Sequence, residues 1–253
     1  MCEAEIRPVA PSFTIPAALP FSRDRMFCGR DDVIKKIHSI LNGSVLCKVE
    51  GGARPMTRKN AVLYGLGGIG KSSIALEYSF RYLGCYTAVF WVDVTSGTSM
   101  SSSMRRILGH IVTAYARQGF PFGKIASMLG LEGLLCQNGE ISSDAAAEPR
   151  LAGTVREWLA EENNKNWLLI LDNYDDSGVD IRLLLPTCDA GNVIITSRKS
   201  DLQVLGLPVP VDGIDEESGV SLLIKSANLE EPGTEGKHKR NPFSCQANLV
   251  HRS

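Results

Sequence analysis

Two hydrophobic spacings share this chain, and their succession lays out its elements. Residues 1–25 carry Pro8, Pro11, Pro16 and Pro20 with little periodicity and read as an irregular arm. From Asp31 the residues Val33, Ile37, Ile40 and Leu41 recur at helical spacing and stop at Asn42-Gly43, which predicts a first helix. The glycine-, proline- and charge-bearing stretch 43–59 reads as a loop. NAVLYG (60–65) then predicts a short buried strand, IALEYSFRYL a helix with Leu76, Phe80 and Leu83 on one face, and AVFWVDV (88–94) a second strand. Met104, Leu108, Ile111 and Tyr115 mark another helix, whereas 120–150 gives no single assignment. Thr154, with Glu157 three residues on, predicts a capping box for a helix whose apolar side holds Val155, Trp158 and Leu159. WLLILDN (167–173) is an almost unbroken apolar run, as expected of a central parallel strand covered on both faces, and NVIITS (192–197) repeats that character. PVPVDG (208–213) predicts a fifth strand, confined to an edge by its prolines. Asp215, Glu216 and Glu217 predict the start of a helix that buries Val220, Leu223, Ile224 and Ala227. This alternation of strands and helices predicts an α/β fold with a parallel sheet.

Composition narrows the function classes. The 253 residues are 43% hydrophobic, enough for a core, and 27 basic side chains stand against 28 acidic ones. Near-zero net charge supplies no bulk attraction to nucleic acid or an anionic membrane, so neither is an expected partner. Seven scattered cysteines form no CxxC pair, a pattern of reduced thiols. The acid-bearing start MCEAEIRP has no signal-length apolar stretch, and no run of apolar residues is long enough for a membrane helix, so the expected location is the cytoplasm.

The candidate chemistry lies in GLGGIGKSS (65–73), where Gly65, Gly70, Lys71 and Ser72 satisfy GxxxxGK[ST] between a predicted strand and a predicted helix. Glycines there let backbone N–H groups approach a phosphate, Lys71 would reach the β- and γ-phosphates, and Ser72 would ligate Mg2+. Asp172 ends the apolar strand, where ligands gather in open α/β sheets, and is the expected partner carboxylate for the metal. Asn173 stands where a hydrolase would carry a water-orienting acid, and Asp175 and Asp176 read as a solvated turn. Arg198 follows NVIITS and would come to the same sheet edge to sense a γ-phosphate.

Together these segments resemble the NB-ARC domain, the STAND-class P-loop NTPase of NOD-like receptors, particularly the fungal type. PFSRDRMFCGRDDVIKKI is similar to that family's leading segment near the adenine, here Phe27, Cys28, Gly29 and Arg30, with Asp31 departing from the family's glutamate. AVLYGLGGIGKSSIALEYSF resembles its Walker A strand, loop and helix, including Gly67, Gly68, Ile69 and Ser73; WLLILDN resembles Walker B, and GNVIITSR its sensor segment. The resemblance implies a three-layer sandwich around a five-stranded parallel sheet in the order 5-1-4-3-2. It also implies ATP or ADP with Mg2+ as cofactors, Lys71, Asp172 and Arg198 as the groups of any hydrolytic chemistry, and homo-oligomerisation in the ATP state. Asp172-Asn173 in place of two acids implies slow hydrolysis at most. The GLP at 206–208 lies too early to be the family's helical-subdomain motif. The expected organisation is the arm 1–25, a nucleotide-binding domain 26–228 and a disordered tail 229–253 with the basic cluster KHKR, in a chain truncated after the nucleotide-binding core. The function implied is a nucleotide-dependent signalling switch of innate-immunity or cell-death type; the alternatives are a metabolic P-loop phosphotransferase and an inert fragment. The sequence names neither an activating signal nor an effector.

Overall fold

The computed structural model describes residues 14–42, 59–142, 148–175, 178–188 and 190–227. The expectations for the loop 43–58, for Asp176 and for the tail 229–253 lie outside them. Five strands form one sheet: β1 (Lys59–Tyr64), β2 (Ala88–Asp93), β3 (Trp167–Asp172), β4 (Asn192–Ser197) and β5 (Leu207–Pro210). Their order is β2-β3-β4-β1-β5 and every pairing is parallel, the expected order read from the other edge. Leu63 lies opposite Thr196, and Leu171 opposite Ile195, so β4 is inserted between β1 and β3.

All six residues of β3 are buried because both faces are covered. Strand alternation sends successive side chains to opposite layers. Leu168 and Ile170 pack with Ile34 and Ile37 of α1 (Asp31–Asn42) and Ile74 and Tyr78 of α2 (Lys71–Arg81). Trp167, Leu169 and Leu171 pack on the other side with α3 (Gly97–Arg117), α4 (Phe122–Leu129) and α5 (Glu148–Ala160) through Leu108, Ile111, Ile125 and Trp158. Each layer removes a continuous apolar surface from water, which is the main favourable term holding the sandwich together.

Both sheet edges are explained by backbone groups. Val211 N–H donates to Tyr64 O at 2.8 Å, so alternate residues of β5 face β1 and Pro208 and Pro210 turn their missing donors outward. At the other edge the leading segment lies along β2, with Ile15 N–H on Thr87 O at 2.7 Å and Ala18 N–H on Val89 O at 2.9 Å. This pairing shields an edge that would otherwise offer open hydrogen-bonding groups.

Four details differ from the sequence expectations. Leu83 lies beyond α2 in a single 3-10 turn and is 39% exposed, whereas Leu76 is buried as expected and Phe80 packs half-buried on the same core, beside Ile74, Ala75 and Tyr78. Thr154 is no cap but a buried mid-helix residue, because the apolar spacing of α5 extends back to Leu151 and Pro149 suits its first turn. Part of 120–150 is helix α4, followed by a turn closed by an antiparallel bridge between Leu135 and Ile141. In α6 (Glu216–Ser226), Val220 and Leu223 are 50% and 70% exposed and Ala227 beyond it is exposed, because the described residues place no layer over that face.

Candidate functional site

The loop after β1 turns at glycine because nothing larger fits. Gly65 has φ +155°, and a β-carbon there would sit 2.3 Å from Val211 O. The loop then closes onto α2, whose N-cap Gly70 is left-handed at φ 98° and offers no side-chain cap. The first intrahelical bond runs from Ile74 N–H to Gly70 O at 2.9 Å, so the first-turn N–H groups of Lys71, Ser72 and Ser73 have no intrahelical acceptor. Above Gly68 and Gly70 no atom lies within 4 Å of an added β-carbon, so the cradle has room for an anion.

Lys71 is 8% exposed and donates to the loop's own carbonyls, Gly65 O at 2.9 Å and Leu66 O at 2.8 Å. Burial lowers its pKa; Asp175 opposes that, Arg198 adds to it, and Asp172 opposes it again. Those influences place two carboxylates and a guanidinium around one ammonium.

Asp172, 6% exposed, is the centre of a hydrogen-bonded ring. Its Oδ1 accepts from Ser72 Oγ at 2.7 Å and from Thr196 Oγ1 at 2.6 Å, and its Oδ2 accepts from Asn173 Nδ2 at 3.2 Å. Burial pushes its pKa up, the Thr196 and Ser72 bonds pull it down, and Asp93, opposite it on β2, pushes it up further. Asn173 is left-handed at φ 65° and donates its N–H to Thr196 Oγ1 at 2.9 Å. Its side chain is therefore committed to Asp172.

Arg198 pairs through Nε with Asp175 Oδ2 at 2.8 Å, and its backbone N–H donates to Asp175 Oδ1 at 2.6 Å. The same guanidinium runs over the loop, 3.6–3.7 Å from where a β-carbon on Gly67 would stand. Arg30, left-handed at φ 63°, donates to Gly213 O at 3.1 Å and Ile69 O at 3.4 Å, tying the leading segment to the loop and to the connection after β5. Cys28 Sγ donates to Ser218 O at 3.4 Å, Gly29 packs on Ser218, and Phe27 lies under the Arg81 guanidinium at 5.8 Å. Asp31 pairs with Arg81, which also binds the buried Glu77.

The structure thus gathers Lys71, Ser72, Asp172 and Arg198 around the loop of Gly65, Gly67, Gly68, Ile69 and Gly70. Phe27, Cys28 and Gly29 stand apart against α6 and α2, joined to the site through Arg30. Sequence reading passed over two members. Thr196 is a fully buried polar residue near the end of an apolar strand, and nothing in NVIITS sets it apart from an ordinary β-branched strand residue. Asp175, read as part of a solvated turn, is the anchor of Arg198.

Ser72 and Asp172 supply the hard oxygen donors that Mg2+ takes, one or two per protein site with phosphate and water completing the shell. Among the described residues no cluster of three or more His, Cys, Asp or Glu exists to form an all-protein metal cage. None of the described helices is long and apolar enough to cross a membrane.

No family model matches the chain. A protein of Hyaloscypha variabilis (strain UAMH 11265 / GT02V1 / F), described as a nucleotide-binding leucine-rich repeat (NLR)-like protein, is 24% identical over 215 residues, 78% of this chain. The chain spans only 18% of that relative's length. The crystal structure of Cdc6p from Pyrobaculum aerophilum aligns with a TM-score of 0.45 and 13% identity, over 85% of this chain and 54% of that one. The sheet order, the glycine loop after β1 and the buried aspartate ending β3 make this a P-loop NTPase fold.

Proposed function

We propose that this chain binds ADP or ATP with Mg2+ as an NB-ARC-like, STAND-class switch module of fungal NOD-like receptor type, with slow hydrolysis at most. The observation that carries the reading is the 2.7 Å contact between Ser72 Oγ and Asp172 Oδ1, beneath an uncapped helix start with open space above it. Those residues fit the group: N–H groups at Gly68, Gly70, Lys71, Ser72 and Ser73 for phosphate oxygens, and Ser72 with Asp172 for the metal. Mg2+ neutralises phosphate charge when it is bound. Lys71 would leave the carbonyls of Gly65 and Leu66 for the phosphates, and Arg198 lies beside the loop to meet a terminal phosphate. Phe27, Cys28, Gly29 and Arg30 are assigned to the base end. Asn173, turned onto Asp172, is not an acid and cannot take a proton from water, which supports slow turnover.

The description of the Hyaloscypha relative as a nucleotide-binding, NLR-like protein supports the nucleotide-binding part of this reading, and the signalling role is proposed from the NOD-like resemblance. In that role ADP marks the resting state, ATP the active one, and self-association of the ATP form in the cytoplasm is the output. Isothermal calorimetry with ADP and ATP, with and without Mg2+, tests the assignment. Lys71→Ala removes a charge-assisted contact of about 1.5–3 kcal/mol, so affinity should fall by roughly 10- to 150-fold. Asp172→Ala should instead abolish the Mg2+ dependence. Unchanged affinity in a folded Lys71→Ala protein overturns the site.

A further inference from the structure

Asp175 grips Arg198 at two points, and the geometry shows which partner is fixed. Its Oδ1 accepts the Arg198 N–H at 2.6 Å and approaches Ser197 Oγ at 3.4 Å, while its Oδ2 pairs with Arg198 Nε at 2.8 Å. Ser197 Oγ in turn donates to Tyr174 O at 2.5 Å and accepts from Lys199 N–H at 3.0 Å, pinning the backbone on both sides. The Asp175 side chain is 28% exposed and that of Arg198 70%, so the carboxylate is held in place and the guanidinium is free to turn.

The guanidinium lies against the phosphate cradle and Asp175 is joined to it. Arg198 runs over Gly67, and Lys71 feels Asp175 and Arg198 with opposite sign. Two cations, Lys71 and Arg198, and two carboxylates, Asp172 and Asp175, therefore lie about the loop, and Asp175 is the one paired with Arg198. A diphosphate adds no anion at the outer end of that space; a triphosphate adds one there. That third phosphate competes with Asp175 for Arg198 and is repelled by Asp175 itself.

We propose that Asp175 occupies Arg198 in place of a terminal phosphate and thereby sets the preference between nucleoside diphosphate and triphosphate. The proposal rests on the nucleotide-binding reading above. Asp175 acts through Arg198 and is a positioning residue. An ion pair this exposed is a modest competitor, so its removal shifts selectivity by about threefold to tenfold.

The test measures Kd by calorimetry on the full chain with Mg2+, for ADP and for a non-hydrolysable ATP analogue. D175N should raise the ratio of the ADP Kd to the analogue Kd by about threefold to tenfold. D175E, which keeps the anion, should restore the wild-type ratio, and R198Q should cancel the gain in the double variant. Should D175N fail to fold, D175S carries the same arm. A ratio unchanged within about twofold while wild-type binding is intact overturns the proposal. So does a gain that persists in the R198Q background, or loss of turnover with no change in ratio, which would make Asp175 a water-orienting group. Wild-type protein that binds neither nucleotide refutes the nucleotide site itself, and this proposal with it.

Discussion

Replacing Thr196 by valine tests whether the Asp172 ring is as tightly built as it looks. The substitution keeps the shape of a fully buried side chain and deletes one hydroxyl. That hydroxyl donates to Asp172 Oδ1 at 2.6 Å and accepts Asn173 N–H at 2.9 Å. Losing a bond to a buried charge costs about 1.5–3 kcal/mol, and losing the N–H bond up to about 1 kcal/mol. The added methyl offsets part of this, leaving a net loss of about 2–3 kcal/mol. For a chain of this size that lowers Tm by roughly 4–12 °C.

The loss should also depend on pH. Burial already holds the Asp172 pKa above 3.8, and Thr196 pulls it down; the valine variant raises it further. A group whose folded pKa is raised lowers stability as pH rises through that value, so the variant's deficit is largest at neutral and higher pH. It narrows as pH falls through the variant's folded pKa, and its carboxylate part is gone below the wild-type folded value, because the unfolded value is common to both proteins. Thermal melts followed by circular dichroism across this range, with Thr196→Ser as the hydroxyl-retaining control, give the numbers. A deficit below about 0.5 kcal/mol, or one flat across pH, would refute the argument.

Other substitutions probe the loop and the leading segment. Gly65→Ala drives a β-carbon to 2.3 Å from Val211 O at φ +155°, so it should destabilise by more than about 2 kcal/mol and loosen β5. Gly68→Ala, at φ +75° but in open space, should cost only about 1 kcal/mol; equal losses in denaturant melts would show that the close approach is not the cause. Glu77, 4% exposed, accepts from Arg23 at 2.6 and 3.0 Å and from Arg81 at 2.7 Å. Burial pushes its pKa up, but the bonds from Arg23 and Arg81 together hold it below 4.5. Its contribution is thus present above pH 4.5 and lost as pH falls through the lower folded value. Glu77→Gln should cost about 1–3 kcal/mol at pH 7, discounted because Arg23 is 55% and Arg81 33% exposed, and nearly nothing at the acid end. A Glu77→Gln deficit that does not shrink in acid would assign it to packing.

The strands were legible because each is a run whose period announces its burial, and the loop because GLGGIGKSS falls between a strand and a helix. Their lateral order came from family resemblance, since periodicity does not say which strand pairs with which. That order governs what was missed. Thr196 looks like an ordinary β-branched strand residue until β4 is placed against β3, and Asp175 looks like a turn residue until Arg198 stands beside it. The helix errors have a different cause. The spacing of Val220 and Leu223 tells which face of α6 is apolar, but not whether anything covers it, and their exposure shows that it is open among the described residues. Thr154 satisfied a local capping pattern, yet Leu151 and Pro149 belong to a helix that starts at Glu148, about two turns earlier.

The insertion of β4 between β1 and β3 makes one strand answerable for both ends of the proposed chemistry. Leu171 lies opposite Ile195, which carries Thr196 to Asp172; two residues on, Arg198 leaves the strand beside Gly67. A slip of one residue, about 3.3 Å, would remove Thr196 from the carboxylate and Arg198 from the loop in the same step. The register is secured by Val193 and Ile195 in one apolar layer and Ile194 in the other, so a slip would turn all three to the wrong face. Asp172 and the Arg198 backbone are therefore held at fixed separation by the core itself. Within that frame the Arg198 side chain, 70% exposed, can change partner while its strand stays fixed, which is what the proposed exchange between a terminal phosphate and Asp175 requires.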